Sequence, residues 1–265
     1  MAAPRTVLLT GAAGGIGTLM RALLPRYGYT LRLFDARPVD GEPGAVTADL
    51  TDRRALRAAV RGSDAIVHLA GISLEAPFEE ILHANIEGTY CLYEAAREAG
   101  VRRVVLASSN HAVGFTPVPA PGEPPVPVDT PHRPDTFYGL SKCFGEDLAS
   151  LYRDRHGIES VCLRIGSCRP EPTSVRMLST WLSPADCARL LHAALTADGV
   201  GHTVAYGSSA NTRLWWDLGT ARALGYTPLD DSETYAAGLP AEEPADGRSL
   251  IGGEFCTPTP PTRRA

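Results

Sequence analysis

The chain has 265 residues, of which 44% are hydrophobic, and it carries a formal net charge of −5. This length suits one large domain, or one domain with a small appended lobe, and the apolar fraction can fill a substantial core. The acidic balance and the lack of a long basic run argue against a nucleic-acid partner, although they do not exclude an anionic small substrate.

The first 50 residues begin with an alternation of strand and helix. Thr6–Thr10 is a short apolar run that predicts a buried strand, and residues 16–24 place apolar side chains at helical spacing. Thr30–Phe34 predicts a second strand that closes on Asp35, and a third strand is expected just before Asp49. This order is typical of an opening βαβ unit.

The same alternation continues through the middle of the chain. Ala65–Leu69 and Arg103–Ala107 predict two further strands, separated by a long helical pattern over Pro77–Ala99. Asp135–His156 predicts another long helix, and the strand Ser160–Ile165 follows it. Strands that alternate with helices form parallel sheets covered by helices on both faces.

We therefore predict an α/β fold, a Rossmann-type doubly wound parallel sheet with a small C-terminal substrate-binding part. Residues 1–165 are expected to form the dinucleotide-binding core with the catalytic helix. Residues 166–265 are expected to form the substrate-binding region and tail, folded as one unit with the core. Thr116–Pro134, crowded with proline, predicts a long irregular loop that is either a lid or a surface excursion, and Thr257–Ala265 is expected to be frayed.

The cysteines and the apolar runs bear on the compartment. No CxxC pair is present, so we expect reduced, mostly buried thiols and no metal site. No apolar run approaches the roughly 20 residues that cross a bilayer, and the N-terminus lacks an apolar leader. A cytoplasmic protein without a membrane partner is predicted. The six cysteines are Cys91, Cys143, Cys162, Cys168, Cys187 and Cys256.

A glycine-rich turn follows the first strand. Gly11, Gly14 and Gly17 give the GxxGxxG spacing between a predicted strand and a predicted helix, with Ile16 at the helix start. In this context the glycines allow a tight turn, close approach of a pyrophosphate and close helix–strand packing, while the helix N-terminus faces the phosphate charge. The turn predicts a dinucleotide site.

An acid at the end of the second strand indicates which dinucleotide binds. A carboxylate at Asp35 can accept hydrogen bonds from the adenosine ribose and would repel a 2′-phosphate, which favours NAD over NADP. Arg37 lies close by and weakens this inference, because an arginine can accommodate that phosphate. The remaining cofactor candidates follow the third and fourth strands at the carboxyl edge of the sheet: Asp49, Leu50, Ala70 and Gly71.

Two residues at the start of the helix after the proline-rich loop predict proton transfer. Tyr138 and Lys142 are four residues apart and share one helical face. A free tyrosine has a pKa of about 10, and an ammonium at ~4 Å would favour its phenolate by up to ~4 kcal/mol at an effective dielectric of ~20. Hydroxyls at Ser108 and Ser109 end the fifth strand, where one of them can reach the reacting oxygen.

Together these motifs resemble the extended, epimerase-like branch of the short-chain dehydrogenase/reductase superfamily. The resemblance implies that the catalytic serine lies five residues before Gly114, which selects Ser109, and that Asn85 is structural. Tyr138 and Lys142 then form the catalytic set with Ser109 and also contact the cofactor. A homo-oligomer is expected by analogy.

Five segments narrow the resemblance to the uronate dehydrogenase family: HLAGISLEAPFEEILHANIEG, ASSNHAVGF, YGLSKCFGEDLA, LRIGSCRPEP and RMLSTWLSPAD. Membership implies NAD-dependent oxidation of the anomeric carbon of D-glucuronate or D-galacturonate to an aldaric acid lactone. It also implies that Arg176 binds the substrate carboxylate. The other implied substrate-binding positions are Ser73, Ser109, Asn110, His111, Tyr138 and Ser167.

Two alternatives are open at this stage. A nucleotide-sugar epimerase or dehydratase would retain and recycle NAD, and the placement of Arg176 argues against it. A non-catalytic NAD-sensing protein could keep the glycine turn but would be expected to lose Ser109, Tyr138 and Lys142, which are intact. The residues do not rank glucuronate against galacturonate, which differ in one hydroxyl's orientation.

Overall fold

The computed structural model describes residues 5–239 and 250–262. Seven parallel strands form the main sheet in the order β3-β2-β1-β4-β5-β6-β9, and β7 pairs with β8 in a small separate sheet. The strands are β1 (Thr6–Thr10), β2 (Thr30–Asp35), β3 (Val46–Thr47), β4 (Ala65–His68), β5 (Arg103–Ser109), β6 (Glu159–Ile165), β7 (Ser167–Cys168), β8 (Trp181–Leu182) and β9 (His202–Gly207). The predicted Rossmann-type parallel sheet is confirmed.

Helices connect the strands and cover both faces of the sheet. A π-helical segment, Leu82–Glu87, joins α3 to α4, so the helix predicted over Pro77–Ala99 is one helical run with a bulge. The helices are α1 (Gly15–Leu23), α2 (Arg53–Val60), α3 (Phe78–Ile81), α4 (Gly88–Ala99), α5 (Phe137–His156), α6 (Met177–Thr180), α7 (Pro184–Thr196) and α8 (Gly219–Ala223). Among the described residues no helix is long and apolar enough to cross a membrane.

The alternation of side chains along β1 divides the core into two layers. Val7 and Leu9 point into a cluster built with α1 and α7, whereas Leu8 points into a cluster built with α2, α4 and α5. Successive strand residues face opposite sides of a sheet, so an uninterrupted apolar strand requires helices on both faces. The strand order reverses between β1 and β4, which places a ligand crevice at their carboxyl ends.

The proline-rich loop is attached to the body of the protein at both ends and in its middle. The backbone amide of Arg133 donates to the carbonyl of Ala112 at 2.9 Å, and the backbone amide of Val126 donates to the carbonyl of Trp215 at 2.8 Å. Val126 is buried in a third small apolar cluster with Trp216 and others. Along these contacts the loop packs as part of the structure.

Pro261 and Thr262 contact the loop that follows β4. The amide of Glu75 donates to the carbonyl of Pro261 at 3.2 Å, and Thr262 pairs with Glu75. The expectation that the tail is frayed from Thr257 is therefore wrong up to Thr262, because backbone hydrogen bonds fix the segment. The last three residues of that expectation, 263–265, lie outside the described residues.

Candidate active site

Two glycines of the turn after β1 lie where a side chain would not fit. Gly11 has φ +73°, and a Cβ on it would lie 2.6 Å from the amide nitrogen of Ala70. A Cβ on Gly17 would lie 2.1 Å from the carbonyl oxygen of Gly11. These contacts bring the predicted glycine turn directly against the end of β4, where Gly71 follows.

The start of α1 offers free backbone donors. Gly14 precedes the helix without a side-chain cap, and the amide of Thr18 donates to the carbonyl of Gly14 at 2.9 Å. The amides of residues 15–17 therefore have no acceptor in the helix. Ile16 packs its side chain on the core and contributes its amide to this set. Donors at a helix N-terminus beside space kept open by glycine fit the pyrophosphate of a dinucleotide.

The Asp35 carboxylate is fixed at the end of β2 by backbone donors. Its two oxygens accept the amides of Ala13 and Arg37, each at 2.9 Å. Each carboxylate oxygen has a second lone pair, which a ribose hydroxyl can use. The Arg37 guanidinium donates to the Ala13 carbonyl at 2.9 Å and lies 3.8 Å from Asp35. A buried carboxylate therefore lies where the adenosine ribose would bind, and it suits the ribose hydroxyls of NAD better than the 2′-phosphate of NADP.

Asn85 ties the end of β4 to the catalytic helix. Its amide group exchanges two hydrogen bonds with the backbone of Ile72, at 2.7 and 2.9 Å, and donates to the Ser141 hydroxyl at 2.9 Å. A Cβ on Gly71 would lie 2.9 Å from its Oδ1. The buried amide lies in the π-helical segment and holds the β4 loop against α5.

Asp49 and Leu50 follow β3 in the segment that leads to α2. The Asp49 carboxylate accepts the amide and hydroxyl of Thr51, both at 2.8 Å, and lies 3.4 Å from His83. Partial burial acts to raise its pKa, but these hydrogen bonds and His83 outweigh that effect and the pKa is lowered. Leu50 is buried, with its Cδ1 2.9 Å from where a Cβ on Gly88 would lie.

Tyr138 and Lys142 lie at the start of α5, where Thr136 caps the helix by accepting the Gly139 amide. The Lys142 ammonium donates to the carbonyl of Ala107 at 2.8 Å and lies 5.5 Å from the centre of the Tyr138 ring. Burial raises the pKa of Tyr138 to about 12, although a hydrogen bond with Ser109 lowers it. Burial also lowers the pKa of Lys142 to about 8. The charge of Asp135 also raises the Tyr138 pKa, so in the chain alone the shift is opposite in direction to the one that the sequence predicted from Lys142.

The structure separates the two serines at the end of β5. The Ser108 hydroxyl donates to the buried carboxylate of Glu146. The Ser109 hydroxyl accepts a hydrogen bond from the His111 amide at 3.2 Å. It also forms a hydrogen bond with the Tyr138 side chain. The position chosen by resemblance is thus the serine that contacts the tyrosine.

The candidate substrate residues meet at one backbone carbonyl. Asn110 donates its side-chain amide to the carbonyl of Ile251 at 3.2 Å, and the Arg176 guanidinium donates to the same oxygen. Arg176 also lies over the ring of Trp215, 5.6 Å from its centre. The ring of His111 lies beside these residues and stacks on Phe255 at 3.9 Å. A guanidinium is therefore held close to the end of β5.

Ser73 and Ser167 lie on separate segments of the chain, the first on the loop after β4 and the second on β7. Ser73 is exposed on a loop anchored by Glu75, whose carboxylate accepts the amides of Phe137 and Tyr138 at 3.3 and 3.1 Å. Ser167 lies on β7, with its hydroxyl 3.2 Å from that of Thr180.

Four side chains that contact this site were absent from the sequence interpretation. Glu75 and Asp135 are acids near the N-terminus of α5, and Glu146 lies four residues after Lys142, so helical spacing offered a signal for the last. Phe255 lies more than a hundred residues from Tyr138, and nothing local marks it.

Comparison with known proteins is consistent with this geometry. Residues 7–182 match the model of the NAD dependent epimerase/dehydratase family. A uronate dehydrogenase of Pseudomonas putida is 47% identical over 262 residues, covering 96% of each chain. The glucuronic acid dehydrogenase of Chromohalobacter salexigens superposes with a TM-score of 0.89 at 43% identity, covering 96% of this chain and 97% of that one. A mutant of the uronate dehydrogenase of Agrobacterium tumefaciens, complexed with NAD, gives a TM-score of 0.88 at 45% identity, covering 95% and 97%.

Proposed function

The chain belongs to the NAD dependent epimerase/dehydratase family, and we propose that it is an NAD-dependent uronate dehydrogenase. It oxidises the anomeric carbon of a hexuronic acid, D-glucuronate or D-galacturonate, to an aldaric acid lactone. The observation that carries this proposal is the meeting of Arg176 and Asn110 at the Ile251 carbonyl, beside Ser109 and Tyr138. This arrangement supports the proposal because a guanidinium suits a carboxylate and lies close to the residues proposed to transfer the proton.

The side chains of α5 and β5 handle the proton. Tyr138 takes the proton of the anomeric hydroxyl, and Ser109 orients that hydroxyl. Because burial raises the Tyr138 pKa to about 12, the phenol needs added positive charge to act as a base near neutral pH. The hydride acceptor and a positive charge beside the phenol would be supplied by the oxidised nicotinamide ring of bound NAD. Lys142 holds the ribose of that cofactor while its ammonium stays near the phenol.

The substrate is held by its carboxylate and hydroxyls. Arg176 binds the carboxylate through two parallel N–H donors, a geometry that suits guanidinium better than ammonium. Asn110 and His111 bind ring hydroxyls from the end of β5. Ser73 and Ser167 complete the pocket from either side.

A substrate panel tests the function. With NAD present, we expect NADH absorbance to rise fast with glucuronate or galacturonate, to rise only slowly with a neutral hexose such as glucose, and to stay flat with a UDP-sugar. Tyr138→Phe should abolish this rise, and Arg176→Ala should impair uronates far more than neutral hexoses. No NADH from either uronate, together with conversion of a UDP-sugar, would replace the proposal with an epimerase or dehydratase.

We further infer a cytoplasmic homo-oligomer, with residues 1–165 and 166–265 folding as one unit and with no nucleic-acid or membrane partner. The six free cysteines support the cytoplasmic location, the net charge of −5 supports the lack of a nucleic-acid partner, and the homo-oligomer rests on analogy with the family. The pairing of β6 with β9 supports the single folding unit. Light scattering after gel filtration tests the oligomeric state. Urea unfolding in a single transition is expected if residues 1–165 and 166–265 fold as one unit.

A further inference from the structure

The side chain of Asp135, just before α5, is fully buried. Its Oδ2 lies 2.7 Å from Nδ1 of His111, and its Oδ1 accepts the hydroxyl of Thr136 at 2.9 Å. The Cys256 thiol, a weak donor, lies 3.9 Å from Oδ2. Burying a carboxylate is costly unless it is paired. The main partner of Asp135 is the His111 imidazole, so we look for the role of Asp135 in this contact.

Three glycines from separate segments make room for this carboxylate. A Cβ on Gly114 would lie 1.9 Å from Oδ2 of Asp135, and a Cβ on Gly252 would lie 2.0 Å from the same atom. A Cβ on Gly139 would lie 3.0 Å from Oδ1 and 2.4 Å from the His111 carbonyl oxygen. The backbone therefore encloses the carboxylate on three sides, which fixes its position relative to the imidazole.

The carboxylate decides which nitrogen of His111 carries hydrogen. A ring nitrogen that faces a carboxylate is the donor, so in the neutral ring Nδ1 is protonated and Nε2 has a free lone pair. Within 5–239 and 250–262, Nε2 has no hydrogen-bond partner, while 11% of the side chain is exposed. Phe255 stacks on the ring at 3.9 Å, and the Tyr138 ring meets its edge at 5.6 Å.

We propose that Asp135 is a positioning residue of the active site: it fixes the Nδ1-protonated form of His111, so that Nε2 accepts a hydrogen bond from a sugar hydroxyl beside Tyr138. This inference rests on the proposed function for the identity of the sugar. The geometry of the pair itself does not depend on it, because the contact is within the chain.

The tautomer is measured without substrate by imidazole ¹⁵N NMR, at a pH above the ordinary histidine range. The protein has seven histidines, and the signals of His111 are identified as those that disappear from the spectrum of His111→Gln. We expect an Nδ1-protonated ring in the wild type and a shift toward Nε2-protonated ring in Asp135→Ala. If that variant does not fold, Asp135→Leu keeps a similar side-chain shape and removes every hydrogen-bond acceptor, and the same shift is expected. An unchanged tautomer in the folded variant overturns the proposal.

Kinetics separate positioning from a merely structural role. In Asp135→Ala the KM for the uronate should rise about tenfold, the value of one lost hydrogen bond, with NADH affinity nearly unchanged. Any change in kcat is read separately, because the Asp135 charge also raises the Tyr138 pKa. In a His111→Gln background the same substitution should leave KM unaltered, because Asp135 acts through that ring. An equal KM rise in both backgrounds would refute the proposal. If the wild type oxidised no uronate while the tautomer shift persisted, the proposed function would fail and the Asp135–His111 pairing would stand.

Discussion

The ion pair between His132 and Glu146 predicts a pH-dependent stability. His132, in the proline-rich loop, places Nε2 2.9 Å from the Glu146 carboxylate, and its side chain is 30% exposed against 2% for the acid. The hydrogen bond with Glu146 raises the pKa of His132, although burial acts in the opposite direction. Burial also acts to raise the pKa of Glu146, but hydrogen bonds from His132 and Arg164 hold it at about 2, so the acid stays ionised.

The perturbation is His132→Gln, which removes the charge and keeps a hydrogen-bond donor. A hydrogen bond to a charged group contributes about 1.5–3 kcal/mol, and partial exposure reduces this to about 1.5 kcal/mol. Because the folded pKa is raised, the extra stability is fully present below the unfolded histidine value of about 6.5 and is lost as pH rises through the folded value. A neutral ring keeps only an ordinary hydrogen bond, of about 0.5–1 kcal/mol.

Urea unfolding of the wild type and the variant at about pH 5.5 and about pH 9 measures this contribution. We expect the difference in unfolding free energy to be larger at the lower pH by about 1 kcal/mol. The matched control is His192→Gln. Burial lowers the pKa of His192, which lies 2.7 Å from the Tyr29 hydroxyl, so its pH dependence should have the opposite sign. The same difference at both pH values for His132→Gln would refute the reasoning.

Other substitutions test the cofactor turn and the two serines. Gly17→Ala places a Cβ 2.1 Å from the Gly11 carbonyl and should weaken NADH binding at least about tenfold in a fluorescence titration. Gly15→Ala meets nothing within 4 Å and should bind normally, so equal affinities would contradict the assigned roles. Ser109→Ala should lower kcat about 100-fold with little change in thermal stability. Ser108→Ala, which loses a buried hydrogen bond to Glu146, should instead cost about 1–3 kcal/mol of stability with kcat nearly unchanged, and the reverse pattern would exchange the two roles.

Local chemistry made much of the site predictable from the sequence. The glycine spacing after β1 and the interval between Tyr138 and Lys142 depend only on neighbouring residues and on helical geometry. The strand periodicity likewise predicted the parallel sheet, since buried strands must be apolar on both faces. The role expected of Asp35 in binding the ribose followed from its place at the end of a strand. In the structure its carboxylate accepts hydrogen bonds from two backbone amides.

What the sequence determined by itself was the set of elements and the chemical groups they carry, because periodicity and turn chemistry act over a few residues. Only the tertiary structure decided how those groups are partnered. It joined Glu75 to Tyr138 and Ile251 to Asn110 across 63 and 141 residues, and no local spacing encodes such pairs. It also set the direction of the Tyr138 pKa shift, because desolvation depends on every element packed around the phenol, and burial raises this pKa where the sequence predicted that Lys142 would lower it.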